Sequence, residues 1–186
     1  MSARRKRRPY TRLWIPPLLS LALAAFIQHG CQMLGDMGIP GVWLQADALF
    51  IVFPLLYLRF AHGLPQVIFT ALALDAFWSG PYGTRLVIYG IVMIAMLPLR
   101  ARIRRENPAH VLWLAALINL LIFTGLWIVA AFGPDKALHV PLTRVLGDLL
   151  ISELVVGAGA FWWMEVQRRA IIMVSDEDPA GYEIVS

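Results

Sequence analysis

One stretch of the chain, residues 42–60, reads VWLQADALFIVFPLLYLRF. Apolar side chains dominate this stretch, and Asp47 and Arg59 are its only charged residues. A helix that crosses the hydrocarbon core of a bilayer needs about 20 mainly apolar residues. The stretch therefore predicts a membrane-spanning helix, and Pro54 is expected to kink that helix because proline removes one of its hydrogen bonds.

Five further apolar segments flank this stretch, and the composition of the whole chain agrees with them. Of 186 residues, 59% are apolar and 15% are charged, and the mean hydropathy is +0.68. Ordinary soluble domains carry about 25% charged residues, so a soluble globule is excluded. The sequence predicts an all-α polytopic membrane protein with six transmembrane helices, at residues 13–34, 42–60, 64–79, 84–99, 111–132 and 142–166.

The basic residues are divided unequally between the two ends of these segments. Thirteen of the 16 lysines and arginines fall on one side, whereas Arg85, Lys136 and Arg144 fall on the other. Short loops that are rich in lysine and arginine stay in the cytoplasm, so both termini are predicted to be cytoplasmic. The chain then divides into a basic cytoplasmic N-terminus (1–12), a six-helix transmembrane domain (13–166) and a cytoplasmic tail (167–186).

The basic start of the chain resembles that of a secretory signal peptide, but no small-residue cleavage site follows it. We therefore predict that the first span is not cleaved, and that its cations attract it to an anionic membrane face. The single cysteine, Cys31, excludes disulfide bonds within the chain and cysteine-rich metal sites.

Two aspartates inside the predicted spans are the most informative polar residues. An ionisable group in hydrocarbon costs about 2.5 to 3.5 kcal/mol, so each one needs a partner or a purpose. Asp47 lies one turn inside the outer start of the second span and Asp75 one turn before the outer end of the third, so both are expected at a similar depth. Three interpretations stay open: helix packing and hydrogen bonding, a ligand or proton site, and a position at the membrane interface.

Span six carries an acid and a run of small residues. Glu153 is equally consistent with a hydrogen bond inside the bundle and with a functional acid, while Asn119 in span five predicts an interhelical hydrogen bond. Residues 157–160 read GAGA, with Gly157 and Gly159 as the glycines. Such a face predicts close helix packing, either within the chain or with another membrane protein.

Sequence motifs of the common catalytic sites are absent. The chain has no HExxH zinc motif, no GxSxG nucleophile, no P-loop and no CxxC pair. The sequence therefore predicts a protein that is not an enzyme and that needs no cofactor or metal. No nucleic-acid partner is expected.

Residues 46–57, ADALFIVFPLLY, resemble the opening of span two in the rod shape-determining protein MreD family. In that family a short polar residue precedes an aliphatic run that ends near a tyrosine. Other positions resemble the family's pattern of a glycine-started helix, an aspartate near its end and a glycine-bearing turn, namely Gly63, Asp75, Gly80 and Gly83. The resemblance covers residues 46–99 closely and the rest of the chain by layout.

This resemblance implies a non-enzymatic scaffold subunit of the bacterial cell-elongation machinery. Its location would be the inner membrane, beside the single-span protein MreC and near the MreB filament and the enzymes of lateral peptidoglycan synthesis. The face of Gly157 and Gly159 would dock partner helices. Four arginines would contact lipid head groups or a cytoplasmic partner, namely Arg100, Arg102, Arg104 and Arg105.

A second hypothesis follows from the same resemblance. The family is similar to the substrate-binding subunits of energy-coupling-factor vitamin transporters. The chain would then be a substrate-binding membrane subunit of a vitamin or metal importer. This hypothesis predicts an outward-facing pocket lined by Gln28, His29, Asp47, Asp75 and Trp78.

Overall fold

A computed structural model shows a helical bundle. It describes residues 15–36, 44–76, 81–103, 107–132 and 141–175. Across these residues the chain forms six helices and no strands, which confirms the all-α prediction for this part of the chain. The helices are α1 (Ile15–Asp36), α2 (Ala48–Tyr57), α3 (Phe60–Asp75), α4 (Thr84–Arg100), α5 (Pro108–Phe132) and α6 (Leu142–Ser175).

The shortest helix, α2, is the centre of the fold. The other five helices form a ring in the order α1, α3, α4, α5, α6, in which each helix packs against the next and α6 packs against α1. Helix α2 lies inside this ring and packs against all five members. Nine of its ten residues are buried, as expected of a helix that is apolar on every side.

Helix α2 is shorter than the predicted second span. Its 10 residues extend about 15 Å at a rise of 1.5 Å per residue, which is half the ~30 Å hydrocarbon thickness of a bilayer. Residues 44–46 precede it as irregular backbone. The backbone N–H of Gln45 donates to the Ser152 hydroxyl at 2.9 Å. The buried serine side chain therefore provides the hydrogen bond that this N–H would otherwise make within a helix.

Helices α2 and α3 approach each other closely at Gly63. A Cβ atom at this position would lie 2.9 Å from the backbone carbonyl oxygen of Pro54. Glycine is required here because any side chain would push one backbone away from the other.

Contacts between helix ends bring five of the described arginines to one end of the bundle. The Arg100 Nη2 atom donates to the carbonyl oxygen of Leu58, the residue after α2, at 2.6 Å. Helix α6 runs parallel to α2, because Ser152 contacts Gln45 and, further along both helices, Gly159 lies near Leu49. Gln167 Nε2 of α6 contacts Ser20 Oγ of α1 at 3.5 Å. We refer to this end as the basic end; it carries Arg59, Arg100, Arg102, Arg168 and Arg169.

The boundaries of the other helices differ from the predicted spans mainly at α6. Helix α1 begins with Pro16 and Pro17 in its first turn, where a missing backbone N–H breaks no helical hydrogen bond. Helix α6 continues to Ser175, nine residues past the predicted end at 166. Glu165 supports this extension because it pairs with Arg168 at 3.0 Å and with Arg169 at 2.8 Å, a spacing that stabilises an exposed helix. The first part of the predicted tail is therefore helical.

Two helices of the described chain are long and apolar enough to cross a membrane: Pro108–Phe132 and the part of α6 from Leu142 to Ala170. Only 39% and 22% of their most apolar windows are buried inside the bundle. Large apolar side chains therefore face outward, among them Trp113, Phe132, Leu150 and Leu154. An exposed apolar surface of this extent indicates association with a membrane.

Candidate functional site

Three charged side chains meet at the end of the bundle opposite the basic end. Asp47 precedes α2, Asp75 ends α3 and Arg85 lies in the first turn of α4. The Nε atom of Arg85 lies 3.0 Å from Asp47 Oδ2, and its Nη1 atom lies 3.7 Å from Asp75 Oδ1. All three side chains are buried, at 9%, 0% and 10% exposure for Asp47, Asp75 and Arg85 respectively. We refer to them as the charged trio.

Within the trio, Asp75 holds the start of α4. Its carboxylate accepts a hydrogen bond from the backbone N–H of Gly83 at 2.9 Å and from that of Arg85 at 3.1 Å. The first N–H groups of a helix have no partner inside the helix, and the helix dipole favours a negative charge beside them. Gly83 has φ of 92°, a conformation that glycine adopts without strain.

Arg85 connects the three helices of the site, α2, α3 and α4. Besides Asp47 of the α2 start, its guanidinium donates from Nη1 to the carbonyl oxygen of Leu74 at 3.3 Å. That carbonyl belongs to the last turn of α3. The planar guanidinium carries five donors in a fixed geometry, so a single side chain pairs with two acids and satisfies a carbonyl at the end of a helix.

A buried tyrosine extends the trio along α4. Tyr89 lies one turn after Arg85, is fully buried and neighbours Asp47. Its hydroxyl has no partner with hydrogen-bond geometry among the described residues. Two carboxylates and one guanidinium carry a net charge of −1 when all are ionised, so the phenol lies beside the excess negative charge.

The trio is buried but lies near one end of the bundle, away from the basic end. Asp47 is 11 positions from Leu58 and Arg85 is 15 positions from Arg100, so they lie about 16 and 22 Å from the basic end at 1.5 Å per residue. A buried charge destabilises a fold unless it is paired, and each member of the trio has its counter-charge within it.

The sequence predicted two members of the trio and missed the third. Asp47 and Asp75 were expected at a similar depth, and the structure brings both to one guanidinium. The sequence places Arg85 among the cations of the outer side and predicts no further role for it. The available signal was its position, because an arginine in the first turn of an apolar helix, at the depth of two acids, needs a buried counter-charge.

A second polar group of residues lies between α5 and α6. Asn119 Nδ2 donates to Glu153 Oε1 at 3.2 Å, which confirms the predicted interhelical hydrogen bond of Asn119. The same contact gives Glu153 a hydrogen-bonding role in the bundle. Beside it on α6, Ser152 accepts the bond from Gln45, a contact that the sequence did not indicate.

The two glycines of the predicted face, Gly157 and Gly159, have different surroundings. A Cβ atom at Gly159 would lie 3.9 Å from Leu49 Cδ1 of α2, whereas one at Gly157 would have nothing within 4 Å. Gly159 therefore serves packing within the chain, and Gly157 faces open space. Gly80, of the predicted turn, lies outside the described residues.

The four arginines that were predicted to contact lipid or a partner also differ in their surroundings. Arg100 is half-buried and bonds to the Leu58 carbonyl, so at least part of its guanidinium serves the fold rather than a partner. Arg102 is exposed, and Arg104 and Arg105 lie outside the described residues.

Within the described part of the chain, no three histidine, cysteine, aspartate or glutamate residues lie together in a way that could hold a metal ion. Comparison of the chain with protein-family models, with characterised proteins and with solved structures finds no match.

Proposed function

We propose that the chain is a non-enzymatic, six-span subunit of the bacterial cell-elongation machinery in the inner membrane. The supporting observation is that the residues that carry the MreD resemblance lie in one connected part of the fold, where they pack against or hydrogen-bond to neighbouring segments. The segment 46–57 forms the buried centre, Gly63 packs against Pro54 of that segment, and Asp75 accepts the N–H of Gly83.

In this proposal the basic end of the bundle faces the cytoplasm, together with both termini. Exposed Arg102 contacts the head groups of anionic lipids, where each cation near the surface contributes about 1 kcal/mol of attraction. The ring helices α1, α3, α4, α5 and α6 face lipid or partner helices. The charged trio holds α2, α3 and α4 in register in the outer half of the membrane.

The proposed scaffold acts through lateral contacts between helices. Gly157 is open on the surface of α6, and small residues let two transmembrane backbones approach closely. We propose that a single-span partner of the MreC type docks there. Gly147 provides a matched control, because it is also an open glycine of α6 and lies on another side of the helix, ten residues away.

This proposal predicts the behaviour of two variants in a purification from detergent. The wild-type chain and Gly147→Leu are expected to recover an MreC-like protein from the source membranes, and Gly157→Leu is expected to lose most of it. Melting curves of the three proteins should agree, since neither glycine contacts a neighbour. Equal recovery by both variants contradicts the docking site, and a normal cell width after depletion of the chain contradicts the role in elongation.

A second candidate function has one specific observation in its favour. Helix α2 starts inside the bundle behind irregular backbone, with Gln45 and Asp47 at its start. In many transporters, irregular backbone next to a helix end forms the substrate site. The chain would then be the substrate-binding subunit of a vitamin or metal importer.

The importer candidate predicts that a vitamin or trace metal raises the melting temperature of the purified chain. An increase that saturates with concentration and is lost in Asp47→Asn supports it. If the full set of vitamins and metals leaves the melting temperature unchanged, this candidate is wrong and the scaffold remains.

A further inference from the structure

The pair formed by Asn119 and Glu153 lies in the middle of two long helices. Asn119 is the twelfth of 25 residues in α5, and Glu153 is the twelfth of 34 in α6. Asn119 is fully buried and Glu153 is half-buried. The pair is therefore far from both ends of α5 and from the charged residues of the basic end.

Only half of the hydrogen-bonding capacity of this pair is used. The amide Nδ2 of Asn119 donates to Glu153 Oε1 at 3.2 Å. The other two oxygens, Asn119 Oδ1 and Glu153 Oε2, are inaccessible to solvent and have no partner among the described residues. Both are acceptors when Glu153 is ionised, so neither can satisfy the other. A protonated carboxyl group has an O–H donor that an ionised one lacks.

We propose that Glu153 is a proton-binding site, in which Oε2 takes up a proton and donates it in a hydrogen bond to Asn119 Oδ1. Together with the bond from Nδ2 to Oε1, this closes a cyclic pair between a carboxylic acid and an amide. The proton comes from water, an O–H bond forms on Oε2, and no electrons are transferred. The inference concerns the α5–α6 contact and does not rest on the role in cell elongation.

The surroundings offer Glu153 no counter-ion. Among the described residues, no lysine, arginine or histidine nitrogen is paired with it, since the ion pairs join Arg85 to Asp47 and Asp75 and join Glu165 to Arg168 and Arg169. Helix α5 has no charged residue from 111 to 132. In the helix halves away from the basic end, the described ionisable residues are Asp47 and Asp75, both paired with Arg85, the phenol Tyr89 of α4, exposed His29 of α1, and Arg144 and Asp148 of α6 itself. None of them forms a hydrogen bond or an ion pair with Glu153, whose contact is with Asn119.

The sign of the pH dependence follows from this inventory. At low pH the acid is neutral and all four polar atoms of the pair have partners. As the pH rises and the proton leaves, Oε2 becomes a buried negative charge that faces another acceptor. The contact between α5 and α6 therefore weakens with rising pH, in the direction opposite to an ordinary ion pair of a carboxylate.

Infrared spectroscopy of the full chain in lipid nanodiscs tests the proposal directly. The carbonyl stretch of a protonated carboxylic acid is separate from the bands of a carboxylate and shifts on exchange into D₂O. We expect wild type to show this band at neutral pH and Glu153→Gln to lack it. Glu165→Gln is the matched control, because Glu165 is paired with two arginines on the same helix, and this variant should keep the band.

A second measurement separates a bound proton from a bound cation. Glutamine has the shape and hydrogen-bonding groups of the protonated acid, so Glu153→Gln should match the thermal stability of wild type at neutral pH and exceed it at alkaline pH. A spectrum of Glu153→Gln that is identical to that of wild type overturns the proposal. A stability of wild type that depends on sodium ions, and that Glu153→Gln lacks, also overturns it.

Discussion

Replacement of Arg85 by methionine is expected to lower the free energy of unfolding by about 3 to 5 kcal/mol, the range for removing one partner of a buried ion pair. Methionine retains most of the volume, so the loss is electrostatic. Without the guanidinium, Asp47 loses the partner at 3.0 Å and Asp75 the one at 3.7 Å. The carbonyl oxygen of Leu74 loses a donor as well.

Unfolding by sodium dodecyl sulfate in mixed micelles, followed by circular dichroism, measures this change. Arg102→Met is the matched control, because Arg102 is exposed at the basic end, and it should change the free energy by less than about 0.5 kcal/mol. The double variant Asp47→Asn with Arg85→Met should be more stable than Arg85→Met, since it contains one unpaired acid fewer. If the second substitution gives no rescue, the contribution of Arg85 is packing and the electrostatic account is wrong.

The charged trio shows which features of the site can be predicted from the sequence and which cannot. Counting residues along alternating segments predicted the similar depth of Asp47 and Asp75, because helix rise and bilayer thickness are nearly constant. Which side chain pairs them depends on helix rotation and tilt, and neighbouring helices set both. Arg85 was visible in the sequence, but only the packing of α4 against α2 and α3 turns its side chain toward the two acids.

The central position of α2 also could not be predicted from the apolar segments of the sequence. Length and apolar content distinguish a helix from a loop, yet they do not show which helix the others surround. Spans five and six are also long apolar segments, and in the structure they are helices with large exposed faces. The difference lies at the start of α2, where Gln45 finds its partner Ser152 more than 100 residues later in the chain.

Only part of the predicted glycine face of α6 faces another helix of the chain. Gly159 contacts Leu49 and Ala160 is buried, whereas Gly157 is open. Two positions along a helix turn the side-chain direction by about 200° because each residue turns it by about 100°. The sequence GAGA therefore cannot present all its residues to one neighbour. Which of these residues faces a neighbouring helix depends on the rotation of α6 about its axis, and only the fold shows that rotation.

The central position of α2 predicts that Phe53→Ala is among the most damaging substitutions in the apolar interior. Phe53 is completely buried and stacks on Tyr57 with the ring centres 5.1 Å apart. We expect a loss of about 3 kcal/mol in the free energy of unfolding, the low end of the range for Phe→Ala. The low end applies because detergent also keeps the ring of the denatured chain away from water, so the unfilled cavity accounts for most of the loss.

Phe161→Ala is the matched control, since Phe161 is 48% exposed on the outside of α6. Lipid or detergent fills the space that the smaller side chain leaves there, and the free energy should change by less than about 1 kcal/mol. Both variants are measured in the same mixed-micelle titration. Equal losses for the two phenylalanines would mean that α2 is as open to detergent as α6. The ring of five helices around α2 would then be wrong, and with it the burial of the charged trio that the ring surrounds.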